Sequence, residues 1–174
     1  MTERIAFSNN FTNQRHLNLY KKWADGDIGI LLTGNVQVDK DHLEGPANVC
    51  IEEKSYSEQL PLLRKWAEEG TRNNTHLWMQ ISHAGRQTPG EINQSPKAPS
   101  SVQLKIPGRN YGIPSVLTTE EIQEIIKKFT VSRINTNKLA KTVKSKSLLR
   151  DSFKKYLPKE IVHRSKFAYQ APEA

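Results

Sequence analysis

His76-Leu77-Trp78-Met79-Gln80-Ile81 is an apolar run that breaks directly into Ser82-His83-Ala84-Gly85-Arg86-Gln87. A run of that length predicts a buried strand, and polar residues crowded at its end predict a loop that carries function. Towards the N-terminus the pattern repeats. Leu60, Leu63, Trp66 and Ala67 fall at helical spacing up to Gly70, and Ile28-Gly29-Ile30-Leu31-Leu32-Thr33-Gly34 is a second apolar run, set between glycines. Such a run predicts a strand buried on both faces in a parallel sheet. Ahead of it, Leu17, Tyr20, Trp23 and Ala24 predict a helix over 13–25, stopped by Gly26.

Towards the C-terminus, Ser82 to Leu117 carries Pro89, Pro96, Pro99, Pro107 and Pro114, too many for regular structure. Thr118 and Glu121 form a capping-box pattern, and Ile122, Ile125, Ile126 and Phe129 line one face of a third helix. Beyond Phe129 the chain turns polar and lysine-rich, which reads as a linker. Leu148, Leu149, Phe153, Tyr156 and Leu157 then predict a short amphipathic helix ended by Pro158. The fold class is α/β with about three βα units, from either a (β/α)8 barrel or a doubly wound sheet, and too few units to complete either.

The 174 residues are 36% hydrophobic and 25% charged, which fits a globular protein and excludes fibrous classes. No stretch approaches the roughly 20 apolar residues of a membrane span, and MTERIAFSNN does not read as a signal peptide. Cys50 is the single cysteine, so neither an internal disulfide nor a Cys-rich zinc site is available. A cytoplasmic location is the expectation. Residues 1–131 hold 15 Lys+Arg against 15 Asp+Glu, whereas residues 132–174 hold 11 against 3, so the whole +8 excess sits in the tail. Nucleic-acid binding would have to come from that tail, which lacks any zinc-finger or RNA-recognition pattern. A solvated basic face is the better reading.

In a βα protein the polar residues that close the strands form the active face. Gly34 lets backbone approach a planar ligand, and Asn35 brings both a donor and an acceptor. Gln80, whose amide can bond a heterocycle edge through its carbonyl and its amine at once, closes the second strand. His83 and Arg86 follow within six residues. For these two a structural role is expected, with Arg86 bracing its loop. No metal site is expected.

Met1-Thr2-Glu3-Arg4, Leu19-Tyr20-Lys21-Lys22-Trp23-Ala24, Leu32-Thr33-Gly34-Asn35-Val36-Gln37-Val38-Asp39, Gly45-Pro46-Ala47-Asn48-Val49, the run from His76 to Gln87, and Ala98-Pro99-Ser100-Ser101 together resemble the N-terminal part of old yellow enzyme type NADH:flavin oxidoreductases. The resemblance spans roughly residues 1–130. It implies a partial TIM barrel from a parent that carries FMN, takes hydride from NAD(P)H and passes it to activated alkenes of the enone type. It implies that Thr2 sits at the flavin edge near O4 and N5, that Gly34 or Asn35 lies beside the ring, and that Gln80 bonds the pyrimidine side. In the family the Met1-Thr2-Glu3 position falls at the end of the first barrel strand. The substrate-binding histidine pair, the proton-donating tyrosine and the phosphate loops belong to later strands that have no counterpart before the resemblance stops. No catalytic residue is therefore expected among residues 1–130, and the chain reads as catalytically incomplete.

Lys146-Ser147-Leu148-Leu149-Arg150-Asp151-Ser152-Phe153, Leu157-Pro158-Lys159-Glu160-Ile161 and Arg164-Ser165-Lys166-Phe167-Ala168-Tyr169-Gln170-Ala171-Pro172-Glu173 resemble the C-terminal tail of asparagine synthetases. In that family the position of Lys166 faces ATP pyrophosphate, where a cation offsets phosphate charge. The nucleotide loop and glutaminase nucleophile of that family are not found here, so an amide-ligase activity is not expected and Lys166 reads as a relic or a surface charge. The expected division is a barrel segment over 1–130, a linker over 131–145 and a tail over 146–174, in a truncated or chimeric product. The rival expectation is a non-catalytic interaction protein that self-associates through exposed barrel edges.

Overall fold

The structure, a computed structural model, describes residues 2–139. The helix expected near residues 148–157, and Lys166, lie outside the described residues. Helix α1 (Gln14–Ala24) starts where Asn13 accepts from the Arg15 N–H at 2.9 Å while His16 Nδ1 accepts from the Asn13 N–H at 3.3 Å. This is a capping box with histidine in place of the usual Glu or Gln. Strand β1 (Ile30–Gln37) follows, then α2 (Tyr56–Gly70) and β2 (His76–Ser82). β1 and β2 pair in parallel, as the glycine-bounded apolar runs predict. Leu31 and Val36 of β1 join Leu17, Tyr20, Ala24, Val49, Ile51, Leu63 and Trp66 in one core, with Leu77 and Met79 of β2 packed against it. Leu17, Tyr20 and Ala24 of α1 and Leu63 and Trp66 of α2, all on the faces read from the sequence, supply this core, whereas the face read for the third helix does not, Ile122 being 43% and Ile126 51% exposed.

The sheet is, among the described residues, covered on one side only. Among the described residues Ile30 is 48% and Leu32 is 55% exposed, so β1 is not buried on both faces as its continuous apolar run predicts. The run gives no alternation, and alternation is what distinguishes a one-sided strand from a two-sided one. β1 also continues three residues past Gly34, where the sequence reading ended it. Its register shifts between Leu32, opposite Trp78, and Asn35, opposite Gln80. Three residues along a regular strand would turn Asn35 to the side opposite Leu32. The bulge at Thr33-Gly34 restores it to the face shared by Leu32, Trp78 and Gln80. Thr33 Oγ1 accepts from the Gln80 N–H at 3.0 Å, occupying a donor that the bulge takes out of the ladder.

The proline-rich segment is irregular apart from a 3-10 turn at Gly85–Gln87 and the short strands β3 (Lys97–Ala98) and β4 (Ser115–Val116), which pair in parallel. It folds back on itself through a Pro89–Tyr111 bridge and the Ile113 N–H donating to the Gln94 carbonyl at 2.9 Å. Helix α3 (Thr119–Leu139) opens with the expected box: the Thr118 N–H donates to Glu121 Oε2 at 2.9 Å, and the Glu121 N–H to Thr118 Oγ1 at 3.3 Å. Thr118→Ala should cost about 1 kcal/mol, read as a lower urea midpoint at unchanged slope. The helix runs past Phe129 to Leu139, ten residues further than expected. Loss of apolar periodicity signalled an end, but no Gly or Pro interrupts residues 119–139. Polar side chains do not by themselves stop a helix. No helix among the described residues is long and apolar enough to cross a membrane.

Candidate functional site

The C-terminal ends of β1 and β2 meet two other segments, the N-terminal residues 2–6 and the loop after β1. Gly34 is needed at this junction. A Cβ there would fall on the Glu3 carboxylate and 2.8 Å from Thr2 Cα. Glu3 Oε1 accepts from the Gly34 N–H at 3.1 Å and from the Tyr20 hydroxyl. Burial, and then the hydrogen bond to the Glu3 carboxylate, push the Tyr20 phenol far above its usual range, so it serves as a fixed donor. Arg4 lies over Gly45, whose Cβ would come 2.6 Å from Arg4 Nη1. The Ala6 N–H donates to the Ala47 carbonyl at 3.1 Å. Residues 2–6 are thereby laid along the strand ends by glycines and backbone bonds.

The four residues picked from sequence come together here. Gln80 Nε2 donates to Asn35 Oδ1, and Asn35 Nδ2 donates to Glu44 Oε2 at 2.5 Å. Thr2 Oγ1 donates to the same carboxylate, at 3.0 Å to Oε2 and 3.3 Å to Oε1. Gly34 sits against Thr2 Cα. The result is one continuous chain, Thr2 to Glu44 to Asn35 to Gln80, half-buried at the open face of the sheet. Sequence reasoning missed Glu44, which is the residue that joins the others. The available signal was its place beside Gly45-Pro46 in a loop following a strand, but a single exposed-looking glutamate carries no weight without the contact.

A second cluster lies beyond it. Asp39 Oδ2 receives Lys128 Nζ at 2.5 Å, lies 3.2 Å from His42 Nδ1 and is 3.9 Å from His83 Nε2; the two imidazoles stack with centroids 4.5 Å apart. Burial alone would raise the Asp39 carboxyl, but hydrogen bonds from His42, Lys128 and the Asp41 N–H outweigh it and hold the group well below the usual carboxylate range. Burial, then the neighbouring His42, push the His83 imidazole down to about 4. Donor atoms of Asp39, His42 and His83 lie within 4.8 Å of one another, as metal ligands would. The hydrogen bonds argue against a metal. His42 Nε2 accepts from the Lys97 N–H at 2.8 Å and His83 Nδ1 from the Gly85 N–H at 3.2 Å, so each neutral ring turns its proton, and not a lone pair, towards Asp39. With Lys128 already supplying the cation, the cluster ties the loop after β1, the loop after β2 and α3 to one carboxylate.

His83 is thus placed in the structural role expected for it. Arg86 is not: it is exposed and, among the described residues, engages no hydrogen bond or ion pair, so it does not brace its loop. Lys128 and Asp39 are 89 residues apart, and nothing local in the sequence could pair them.

Comparison with known proteins gives this geometry its context. The family model described as the NADH:flavin oxidoreductase / NADH oxidase family matches residues 1–141, and an asparagine synthase model matches the shorter stretch 129–174. The chain is 30% identical over 132 residues to an NADH-dependent flavin oxidoreductase of Aspergillus parasiticus, covering 74% of this chain and 30% of that protein. It is 33% identical over 131 residues to an NADH oxidase of Thermoanaerobacter brockii, covering 74% of this chain and 19% of that protein. An old yellow enzyme homologue from Zymomonas mobilis superposes with a TM-score of 0.58 at 18% identity, covering 74% of this chain and 37% of that one, which shows a shared fold. The chain therefore spans a fifth to a third of the length of these two curated relatives. The family uses FMN, with NAD(P)H as reductant. Since that family model matches well over half of the residues, in the same stretch that builds the strand-end network, the chain belongs to the NADH:flavin oxidoreductase / NADH oxidase family.

Proposed function

We propose that residues 1–130 are a partial TIM barrel forming one wall of an FMN site, in a cytoplasmic NAD(P)H oxidoreductase of old yellow enzyme type that passes hydride to activated alkenes. The observation that carries this reading is the hydrogen-bonded chain from Thr2 through Glu44 and Asn35 to Gln80 on the open face of two parallel strands. The donor set fits the cofactor. Gln80 spends one Nε2 hydrogen on Asn35 and keeps the other, with Oε1 engaging no partner among the described residues. An imide edge, N–H beside C=O, needs that combination of acceptor and donor. Leu32 and Trp78 on the same face supply apolar surface for a planar ring. FMN, when bound, supplies the hydride-accepting and hydride-donating chemistry. The chain's own residues would hold the ring edge: Gln80 at the pyrimidine, Gly34 or Asn35 beside it, and Thr2 towards O4 and N5.

The same reading takes the 174 residues as catalytically incomplete, a barrel segment over 1–130 and a linker over 131–145 joined to an asparagine-synthetase-like tail over 146–174. The overlap of the two family matches at residues 129–141 supports a junction there. Transcript reads crossing the codons for 130–143 at normal depth would remove the explanation by a faulty gene model. Titration of the protein with FMN, followed by flavin fluorescence, tests the site: saturable binding weakened about tenfold in Gln80→Ala is expected, and no saturable binding ends the reading.

A second reading rests on Ile28, Ile30, Leu32, Ile122 and Ile126, which are 38–55% exposed. The chain would then be an interaction protein that self-associates through this surface. Size-exclusion chromatography over a range of concentrations discriminates: a monomer throughout removes it.

A further inference from the structure

The strand-end network contains a charge that the flavin reading does not require, and its placement has a chemical consequence. Glu44 is the one member of the chain that can only accept hydrogen bonds when ionised, whereas Thr2, Asn35 and Gln80 can each donate or accept. It accepts from Thr2 Oγ1 at 3.0 Å and from Asn35 Nδ2 at 2.5 Å. Asn35 is thereby turned with Nδ2 towards Glu44, which leaves Oδ1 directed at Gln80. Gln80 answers with Nε2, so Oε1 is left on the far side of its amide. Without a fixed acceptor, an asparagine–glutamine pair is nearly indifferent to a simultaneous flip of both amides. The flipped pair would offer the ligand the opposite pattern.

Resting on the flavin reading above, we infer that Glu44 is a positioning residue which fixes the donor–acceptor polarity of Asn35 and Gln80 and so makes the site selective for an imide N–H edge. Its carboxylate need not touch the ligand. It acts through Asn35, and the bulge at Thr33-Gly34 is what places Asn35 between Glu44 and Gln80 on the open face. The ligand class that matches is a flavin or another planar heterocycle with an unsubstituted ring N–H between carbonyls. Ring systems that present an acceptor at that position are disfavoured, because they would leave the Gln80 carbonyl oxygen facing a lone pair.

The test compares FMN with FMN methylated at ring N3, which loses the N–H and keeps the rest of the ring. The wild-type protein should bind FMN at least tenfold more tightly than the methylated form. Glu44→Gln, which matches the side chain in shape but allows either polarity, should bring that ratio below about threefold and weaken FMN itself several-fold. Asn35→Leu, which cuts the connection while leaving Glu44 in place, should do the same. A purely structural Glu44 would change stability or both affinities equally and leave the ratio intact, and that result overturns the inference while leaving the flavin reading standing. Failure of the wild-type protein to bind either compound overturns the flavin reading and, with it, the assigned ligand. The relay is read separately in ligand-free protein by NMR. At neutral pH the Asn35 and Gln80 side-chain amide resonances should both shift in Glu44→Gln relative to the wild type; if Gln80 does not follow Asn35, the relay is overturned whatever binds.

Discussion

Trp66→Ala should lower the unfolding free energy by about 4 kcal/mol, with an unchanged urea slope. The indole is 2% exposed at the centre of the core, its rings 5.2 Å from those of both His16 and Tyr20, the latter edge-on. No neighbouring element can close the resulting void, because α1 and the β1–β2 sheet are held in place by Leu17, Ala24, Leu31 and Val36 around it. Small domains hold about 5–15 kcal/mol in total, so this one change should leave a sizeable unfolded fraction at ambient temperature. The loss also reaches the site, since Tyr20 is the residue that anchors Glu3, and through it the Gly34 junction. Trp66→Phe should cost well under half as much. The Trp66 Nε1 is buried without a hydrogen-bond partner, so phenylalanine gives up ring area and sacrifices no polar interaction. Urea denaturation of the three proteins checks both values, and equal losses for Ala and Phe would show that the indole N–H, and not the volume, matters.

The second large effect is acid lability centred on Asp39. His83 in the folded protein is pushed down from 6.5 to about 4, chiefly by burial. The unfolded chain thus takes up a proton at a pH where the folded one still refuses it. The stability this confers is complete above pH 6.5 and is lost as pH falls from 6.5 to about 4. With allowance for solvent screening, that window is worth about 2 kcal/mol. Asp39 adds a second phase. Its carboxyl is held below the usual 3.8, so its contribution is present above that value and is lost as pH falls below it. A plot of urea-derived stability against pH should therefore fall in two steps. His83→Asn should flatten the upper step and leave the lower. Asp39→Asn should remove the lower step and, at neutral pH, destabilise by about 2 kcal/mol, because Lys128 loses its carboxylate partner and the two imidazoles lose the charge they face, while Lys128, 40% exposed, regains part of its hydration. An unchanged pH profile in both variants would mean that the cluster carries no linkage.

Much of the element order was legible because it depends on short-range rules. The spacing of Leu17, Tyr20 and Ala24, the glycine-bounded run before Asn35, the run from His76 and the Thr118–Glu121 box each encode an element within a dozen residues. Gln80, Asn35, Gly34 and Thr2 could be named as candidates because their positions at strand ends, and the family resemblance, are properties of the linear chain. The end of α3 was misread for the same reason in reverse: a helix ends where a cap or breaker ends it, and loss of apolar spacing is no breaker.

The amino-acid sequence by itself thus determined the α/β class, the parallel pairing implied by its apolar runs, the core-facing residues of α1 and α2, and the side chains from which a flavin site could be assembled. Only the tertiary structure decided how those side chains are connected. The bulge that turns Asn35 onto the Gln80 face is a register property of two strands, and neither strand records it. Glu44 gained its role by contact with Thr2, 42 residues away, and Asp39 found Lys128 at a separation of 89. The physical reason is that hydrogen-bond polarity and buried charge depend on distances of a few ångströms between segments. Local sequence sets which groups are available, and packing sets which of them meet.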